Sequence, residues 1–437
     1  MNTLNCRVQK LNARCCVVGG GPAGMALGLL LARAGVDVVV LEKHSDFLRD
    51  FRGDTIHPST LELMHELGIL EEFLQLPHQR LSLVGGQIDD KNVTVADFSR
   101  LPTQCKFIAL MPQWDFLDFI AEKAKRSPHF RLHMESEVLE LLEENGRVAG
   151  VRAKTPDGVM EVRADLIVAA DGRRSIVRKT AGFDVMDLGA PIDLLWMRLS
   201  RRASDPTQTL WWYRAGRILI TIDRGDYWQC AYEIPKGAFT GILERGLPAL
   251  RDEIGSVVPF LRDRTAELSD WNDIKLLAVT VERLRQWWSK GLLCIGDSAH
   301  TMSPIGGIGI NLAIQDAVAA ANILAQPLLE RSVGIKHLRE VQRRRELPTR
   351  ITQSIQVLAH KHFIGPPAGG RASQRERQRP WVLTLLLRFP QLRYVPTRLL
   401  GLGLRPEHVR TGNGDFAGKP VESVSDAGPR WAGMEGS

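Results

Sequence analysis

Gly19, Gly21 and Gly24 stand in the string GGGPAG at the spacing G-x-G-x-x-G, a pattern that can cradle a phosphate. Each glycine answers a separate steric need. Gly19 permits a tight turn, Gly21 has no Cβ to collide with a pyrophosphate, and Gly24 lets the next helix pack on the preceding strand. Pro22 and Ala23 open that helix, whose first amides would face the phosphate charge. Glu42 ends the strand that follows, where a carboxylate can accept hydrogen bonds from ribose hydroxyls and would repel a 2′-phosphate. The pair of features predicts an adenosine ribose without that phosphate, as in FAD or NAD rather than NADP.

The elements around these residues give the glycines their meaning. CCVVGG (15–20) is an apolar run of the buried parallel-strand type, Met25 to Ala34 has helical composition, and VDVVVLEK (36–43) reads as a second buried strand. That is a compact βαβ unit. Two more apolar runs end in a Gly/Asp pair: DLIVAADG (165–172) closes on Asp171-Gly172, and GLLCIGDSAH (291–300) passes through Gly296-Asp297. A carboxylate at such a strand end would sit at the carboxyl edge of a sheet, where open α/β folds bind ligands. After Asp297 come a glycine-rich turn and an alanine-rich helix from about Ile310 to Leu324. Helices are also expected over Pro58–Leu67, over Gln113–Lys125 and from about His337 to His360.

Composition sets the outer bounds. The 437 residues call for two or three domains at ~150 residues each. Hydrophobic residues at 44% and charged residues at 24% exclude wholesale disorder. The net charge of +7 is modest for this length and favours anionic ligands without demanding a nucleic acid. The six cysteines form no C-x-x-C pair, and no Cys/His cluster has metal-ligand spacing, so a reduced, cytoplasmic protein with no metal is expected. No secretory leader and no run of eighteen uninterrupted apolar residues is seen.

Seven of the ten tryptophans (196, 211, 212, 228, 271, 287 and 288) fall between residues 190 and 290, mostly in alternating strand-like segments. The first part of this region reads as an antiparallel sheet inserted into the nucleotide-binding core, followed by a helical PFLRDRTAEL. Its face could line an organic-ligand pocket or simply pack a core. Trp212, Arg214 and Tyr232 are the candidate substrate contacts, with Trp212 and Arg214 on one face and Trp211 and Tyr213 on the other.

Four segments, in order over roughly residues 13–325, make the chain resemble the FAD-dependent aromatic hydroxylases, group A flavoprotein monooxygenases built like para-hydroxybenzoate hydroxylase. They are the Gly19–Glu42 unit, FRGDTIHPSTLELMHELGI (51–69), DLIVAADGRRSIVRKTAG (165–182) and GLLCIGDSAHTMSPIGGIGINLAIQDAVAAANIL (291–324). The resemblance implies an α/β fold: a Rossmann-like FAD-binding domain of the glutathione-reductase type, an inserted, mainly antiparallel β-sheet substrate domain and a C-terminal helical region. It implies that Arg52 helps hold FAD, that Gln113 contacts its flavin side, that Asp171 lies at the pyrophosphate and that Gly296-Asp297 meets the ribityl chain. It also implies that Gly306, Gly307 and Gly309 let the backbone approach the isoalloxazine. Ile310 and Asn311 then open a helix whose N-terminus stabilises the reduced ring. His57 and Pro304 are placed against the ring or substrate as catalytic candidates.

The implied chemistry is hydroxylation or epoxidation of an aromatic or polycyclic compound by NAD(P)H and O2 through a flavin C4a-hydroperoxide. NADPH or NADH would visit transiently, since no second glycine-rich dinucleotide unit is present; Arg173, Arg174 and Arg178 could lend it positive charge. A flavin-dependent halogenase is one alternative, although GDYWQCAYEIP (225–235) lacks the spacing of the halogenase G-W-x-W-x-I-P string. A geranylgeranyl-reductase-like oxidoreductase is another, and a non-catalytic flavin-binding protein is the alternative of a different class.

The expected division has FAD-binding parts at 13–80, 111–182 and 283–360, the last with its helices. Substrate-domain strands lie at 81–110 and the substrate-binding sheet at 183–282. A basic and apolar segment covers 361–412, and a polar tail, expected to be disordered, covers 413–437. The 361–412 segment is expected to pack on the body, the other reading being peripheral contact with a membrane or partner. A monomer or homodimer is expected.

Overall fold

The computed structural model describes residues 8–48, 55–206, 210–363 and 388–411. Arg52 and the 413–437 tail therefore lie outside the described residues, as do residues 364–387 and 412 of the 361–412 segment.

Strand Gln9–Val18 is the centre of the larger sheet, pairing in parallel with Val38–Leu41 on one side and Gly158–Ala169 on the other. Phe130–His133 extends the first side and Leu292–Cys294 the second, both in parallel. The VVVL strand (38–41) is buried along its whole length, the pattern of a parallel strand covered on both faces. An antiparallel appendage, Glu137–Glu144 and Arg147–Thr155, continues from Gly158–Ala169, with the Asn145-Gly146 turn between its strands. Helix Pro22–Arg33 joins the first two strands and buries ten of its twelve residues. Helices Gln113–Lys125 and Ile308–Leu329 pack beside it.

A second sheet of seven strands is built from two distant stretches. Leu83–Ile88 and Lys91–Asp97 form one end, and Leu210–Arg214, Arg217–Asp223, Tyr227–Pro235, Ile192–Ser200 and Lys275–Leu277 the rest. The two parts join by the parallel pairing of Trp211, Trp212 and Tyr213 with Gly86, Gln87 and Ile88. Helices Phe239–Arg245 and Leu247–Val257 and the 3-10 helix Pro259–Glu267 cover one of its faces. Of these three, only the last was legible as helical; the first two are short and interrupted by Gly246, whose φ of 83° breaks the periodicity.

Among the described residues one stretch, Ile305–Leu329, is long and apolar enough to cross a membrane, yet 72% of its eighteen-residue apolar window is buried inside the protein. Asn311, Gln315 and Asp316 on it are buried, in keeping with a core helix. Residues 388–411 pack on the body: Thr397 Oγ1 accepts from the Asp97 amide at 2.8 Å, and Leu400 and Leu402 join Phe98 and Leu101 in a small apolar cluster.

Candidate active site

The register of the parallel strands brings the candidate residues to one edge. Val18 pairs with Leu41 and with Ala169, and Ala169 with Cys294, so the chain leaves all four strands at the same level. Gly19 and Glu42 follow directly, and Asp171 and Asp297 within the next turn.

The three glycines of the first turn differ in what surrounds them. Gly19 has φ 104°, and a Cβ there would lie 2.5 Å from the Ala170 carbonyl oxygen. At Gly24 a Cβ would fall 1.9 Å from the Gly19 carbonyl oxygen. At Gly21 it would meet nothing within 4 Å, so this side of the turn opens onto free space. Gly21 is also the N-cap of helix Pro22–Arg33 and caps it with no side chain, which leaves first-turn amides for an anion.

Glu42 does more than the sequence indicated. Its Oε2 accepts from the Gly20 amide at 2.8 Å and its Oε1 from the His44 amide at 3.1 Å. The carboxylate therefore braces the glycine turn. Asp171 Oδ2 accepts from the Val177 amide at 3.2 Å, while its Oδ1 is buried with no partner of normal geometry. Burial pushes this carboxyl up. Asp297 is about one-third exposed, 4.0 Å from Arg173 Nε.

The glycine-rich turn is tied down from several sides. Gly306 and Gly307 take φ of 74° and 60°, and a Cβ on Gly307 would lie 2.1 Å from Thr55 Oγ1, which donates to the Gly307 carbonyl at 2.9 Å. Pro304 is half-buried, and its carbonyl accepts from the Gly307 amide at 3.0 Å. Gly309 faces open space, with only Met302 Cβ at 3.9 Å. The half-buried Ile310 lies in the first turn of helix Ile308–Leu329, again without a side-chain cap. Asn311 departs from the expectation. Its amide side chain donates to the carbonyls of Thr55 and Gly307 and accepts from the His57 amide and Thr60 Oγ1. With both ends engaged by protein, the Asn311 side chain braces the turn rather than facing a ligand.

His57 is wholly buried behind this turn, its Nδ1 2.6 Å from the Leu400 carbonyl. That contact places the proton on Nδ1 and leaves Nε2 buried without a partner of normal geometry. Burial pushes its pKa down to about 4, against the opposing pull of the Leu400 and Gly306 carbonyls. The imidazole is neutral at neutral pH. Gln113 opens helix Gln113–Lys125 half-buried. Among the described residues no group of His, Cys, Asp or Glu is arranged to hold a metal.

The substrate candidates need correction. Trp212 and Tyr232 lie on the sheet face covered by helices: Trp212 packs on Phe260, with ring centroids 5.5 Å apart, and donates to Thr221 Oγ1 at 3.0 Å. Tyr232 donates its hydroxyl to Glu253 Oε2 at 3.1 Å. Arg214, in the same alternation as Trp212, pairs at the strand end with Asp90 at 2.6 Å. The opposite face carries a cross-strand row in register: Trp196, Ala231, Ile220 and Trp211, ending at Gly86. Glu233 shares this face, two residues along from Ala231. Its Oε1 lies 2.8 Å from His360 Nδ1, and His360 Nε2 lies 2.5 Å from Ser303 Oγ in the glycine-rich turn. This face is therefore the one turned toward the turn.

The model of a family described as FAD binding domain matches residues 12–354. The chain belongs to the FAD-dependent aromatic hydroxylase family. It is 35% identical over 391 residues to the 6-methylpretetramide 4-monooxygenase of Streptomyces rimosus, covering 88% of this chain and 91% of that one. The crystal structure of p-nitrophenol 4-monooxygenase from Pseudomonas putida superposes with a TM-score of 0.72 at 19% identity, over 90% of this chain and 99% of that one. A myxobacterial chondrochloren halogenase gives 0.70, also at 19% identity, over 89% and 91%. At these identities the two structures show a shared fold. The chain is thus an enzyme, an FAD-dependent oxidoreductase. Its residues fit the cofactor: the open sides of Gly21 and Gly309, two helix N-termini without side-chain caps and the unpartnered Asp171 Oδ1 surround one edge.

Proposed function

We propose that this enzyme inserts one atom of O2 into a flat aromatic or polycyclic compound held on the Trp196 face of the inserted sheet. The observation that carries this reading is the Glu233–His360–Ser303 connection, which turns that face toward the 301–311 turn. In this row Gly86 lies under the Trp211 ring and Ala231 is buried, while the half-buried Trp196, Ile220 and Trp211 supply apolar surface. Similarity to the 6-methylpretetramide 4-monooxygenase supports a polycyclic substrate.

Gly19 to Gly24, with the first amides of Pro22–Arg33, would hold the diphosphate, and Glu42 would take the ribose. Asp171 and Asp297 would flank the chain that links these groups to the ring. The N–H groups of residues 308–310 would hold the ring end of the cofactor, their partial positive charge favouring an anion there. Neutral His57 backs that turn without bringing a competing charge, and Gln113 approaches from the Gln113–Lys125 helix.

When bound, FAD supplies electron storage and oxygen activation. NADH or NADPH gives two electrons; one oxygen atom enters the product and the other leaves as water. The protein's share is to orient the substrate carbon and exclude water from the reacting face. The nicotinamide visits transiently, with Arg173 and Arg174 at the open edge to attract it, in a cytoplasmic protein acting as a monomer or homodimer.

The test is to purify the protein and record its flavin absorbance. NADH and NADPH oxidation are then followed with polycyclic phenols, together with oxygen uptake and product mass. Substrate-stimulated oxidation with a product one oxygen heavier is expected. A colourless protein that refuses FAD overturns the reading, as does a halogenated or merely reduced product.

A further inference from the structure

Helix Ile335–Phe363 presents a polar stripe to the cofactor turn, at positions 353, 356 and 360. Gln353 Nε2 donates to the Thr301 and Glu282 carbonyls at 2.9 and 2.8 Å. Gln356 accepts from the Ser303 amide at 3.1 Å and donates to the Ser303 and Ile305 carbonyls at 3.0 and 3.1 Å. His360, one turn further, reaches Ser303 Oγ with Nε2 and Glu233 Oε1 with Nδ1. Ser303 and His360 are each 1% exposed and the Glu233 side chain 6%.

The donors and acceptors fit one arrangement. A Glu233 carboxylate accepts the Nδ1 proton, and Nε2 then accepts the Ser303 hydroxyl proton. Ser303 Oγ in turn accepts from the Ile305 amide at 3.2 Å. Ser303 is a buried link with both lone-pair and proton positions in use, so it does not read as a nucleophile. The chain adds a direct link between the inserted sheet and the turn, beside the hydrogen bonds that run from Asp193 and Lys236 to Val279 and from Thr301 to Thr280, and directional hydrogen bonds remove the freedom to slide.

We propose that His360 is a positioning residue for oxygen transfer, locking the substrate-bearing sheet to the Ser303–Ile305 turn so that a compound on the Trp196 face is held in register with the flavin. This rests on the monooxygenase reading above. Misplacement of a reacting carbon by about 1 Å is enough to cost on the order of a hundredfold in rate, and water then competes for the activated oxygen.

The experiment compares His360→Phe, which keeps ring volume and loses both bonds, with Glu233→Gln, which keeps an acceptor for Nδ1. Three quantities are read: amide hydrogen exchange over residues 301–309 in the FAD-free protein, FAD content, and product formed per NAD(P)H consumed. His360→Phe is expected to retain FAD, to exchange roughly tenfold faster over 301–309, and to form about tenfold less product per NAD(P)H. Glu233→Gln should stay within about threefold of the parent. Unchanged exchange overturns the proposal, and so does a general loss of stability and rate with the product ratio intact. If His360→Phe does not fold, Ser303→Ala supplies the same comparison: a smaller shift in the same direction supports the proposal and no shift overturns it. A parent protein that fails to bind FAD would sink the functional reading, whereas the exchange measurement still decides whether the bridge holds the turn.

Discussion

Asp316 Oδ2 lies 2.6 Å from His300 Nε2, and neither side chain is exposed by more than 1%. The same carboxylate accepts from Arg345 Nε at 2.9 Å and from the Gly296 amide at 3.1 Å. One buried carboxylate thus ties the strand end carrying Asp297 to helices Ile308–Leu329 and Ile335–Phe363. Burial alone would raise its pKa, but His300 and Arg345 outweigh that and hold it below the ordinary carboxylate range. Asp316→Ala leaves the buried Arg345 with Glu407, 3.6 Å away, as its remaining carboxylate, and a loss of about 3 kcal/mol is expected. Urea unfolding should show that loss, and FAD affinity should fall with it because Gly296-Asp297 loses its anchor.

The glycine turn separates ligand from fold. A Cβ at Gly21 points into open space, and the backbone there (φ −73°, ψ −176°) suits any residue. Gly21→Ala should therefore leave the FAD-free protein within about 0.5 kcal/mol of the parent. It should also weaken FAD by roughly five- to 150-fold, the effect of about 1–3 kcal/mol of overpacking. Gly24→Ala drives a Cβ into the Gly19 carbonyl and should destabilise the protein with or without FAD. Thermal melts with FAD titration check both; equal effects of the two changes on the FAD-free protein would contradict the assignment.

His57 predicts an acid limb in stability. Above pH 6.5 the imidazole is neutral in the folded and unfolded chain alike. Between 6.5 and about 4 only the unfolded chain takes up the proton, so falling pH favours unfolding, by up to roughly 3 kcal/mol once both values are passed. His57→Gln keeps a donor for the Leu400 carbonyl and cannot charge. The difference between parent and variant in urea unfolding at pH 7 and pH 4.5 isolates the term, because the other carboxylates titrate in both.

The strand-end chemistry was legible because each piece is local. Gly19–Gly24, Glu42, Asp171 and Asp297 are each fixed by a strand or turn within a few residues, and parallel register then brings them together. What could not be read was which partner each polar group would find. Asn311 is spent on Thr55, His57 and Thr60, some 250 residues away, and His360 looked like the last residue of an ordinary amphipathic helix. The face of the inserted sheet was hidden for a similar reason. Alternation divides Trp211 from Trp212, but only the helices at 239–267, themselves largely missed, decide which of the two is covered.

That division yields the remaining test. Trp212 fills a packed site between the sheet and Phe260, with 7% exposure, so Trp212→Ala should cost about 3–5 kcal/mol in stability. Its effect on which substrates are accepted should be small. Trp196 stands half-buried on the other face, level with Ala231 and Ile220. Trp196→Leu removes an aromatic surface worth about 0.5–1.5 kcal/mol against a flat ring, so KM for the aromatic substrate should rise roughly two- to twelvefold while the protein stays folded. Measured together by denaturant unfolding and steady-state kinetics, the two changes should separate, stability moving in one and KM in the other. A Trp212 variant that kept its stability but lost substrate binding would mean that the helix-covered face, and not the Trp196 face, receives the substrate.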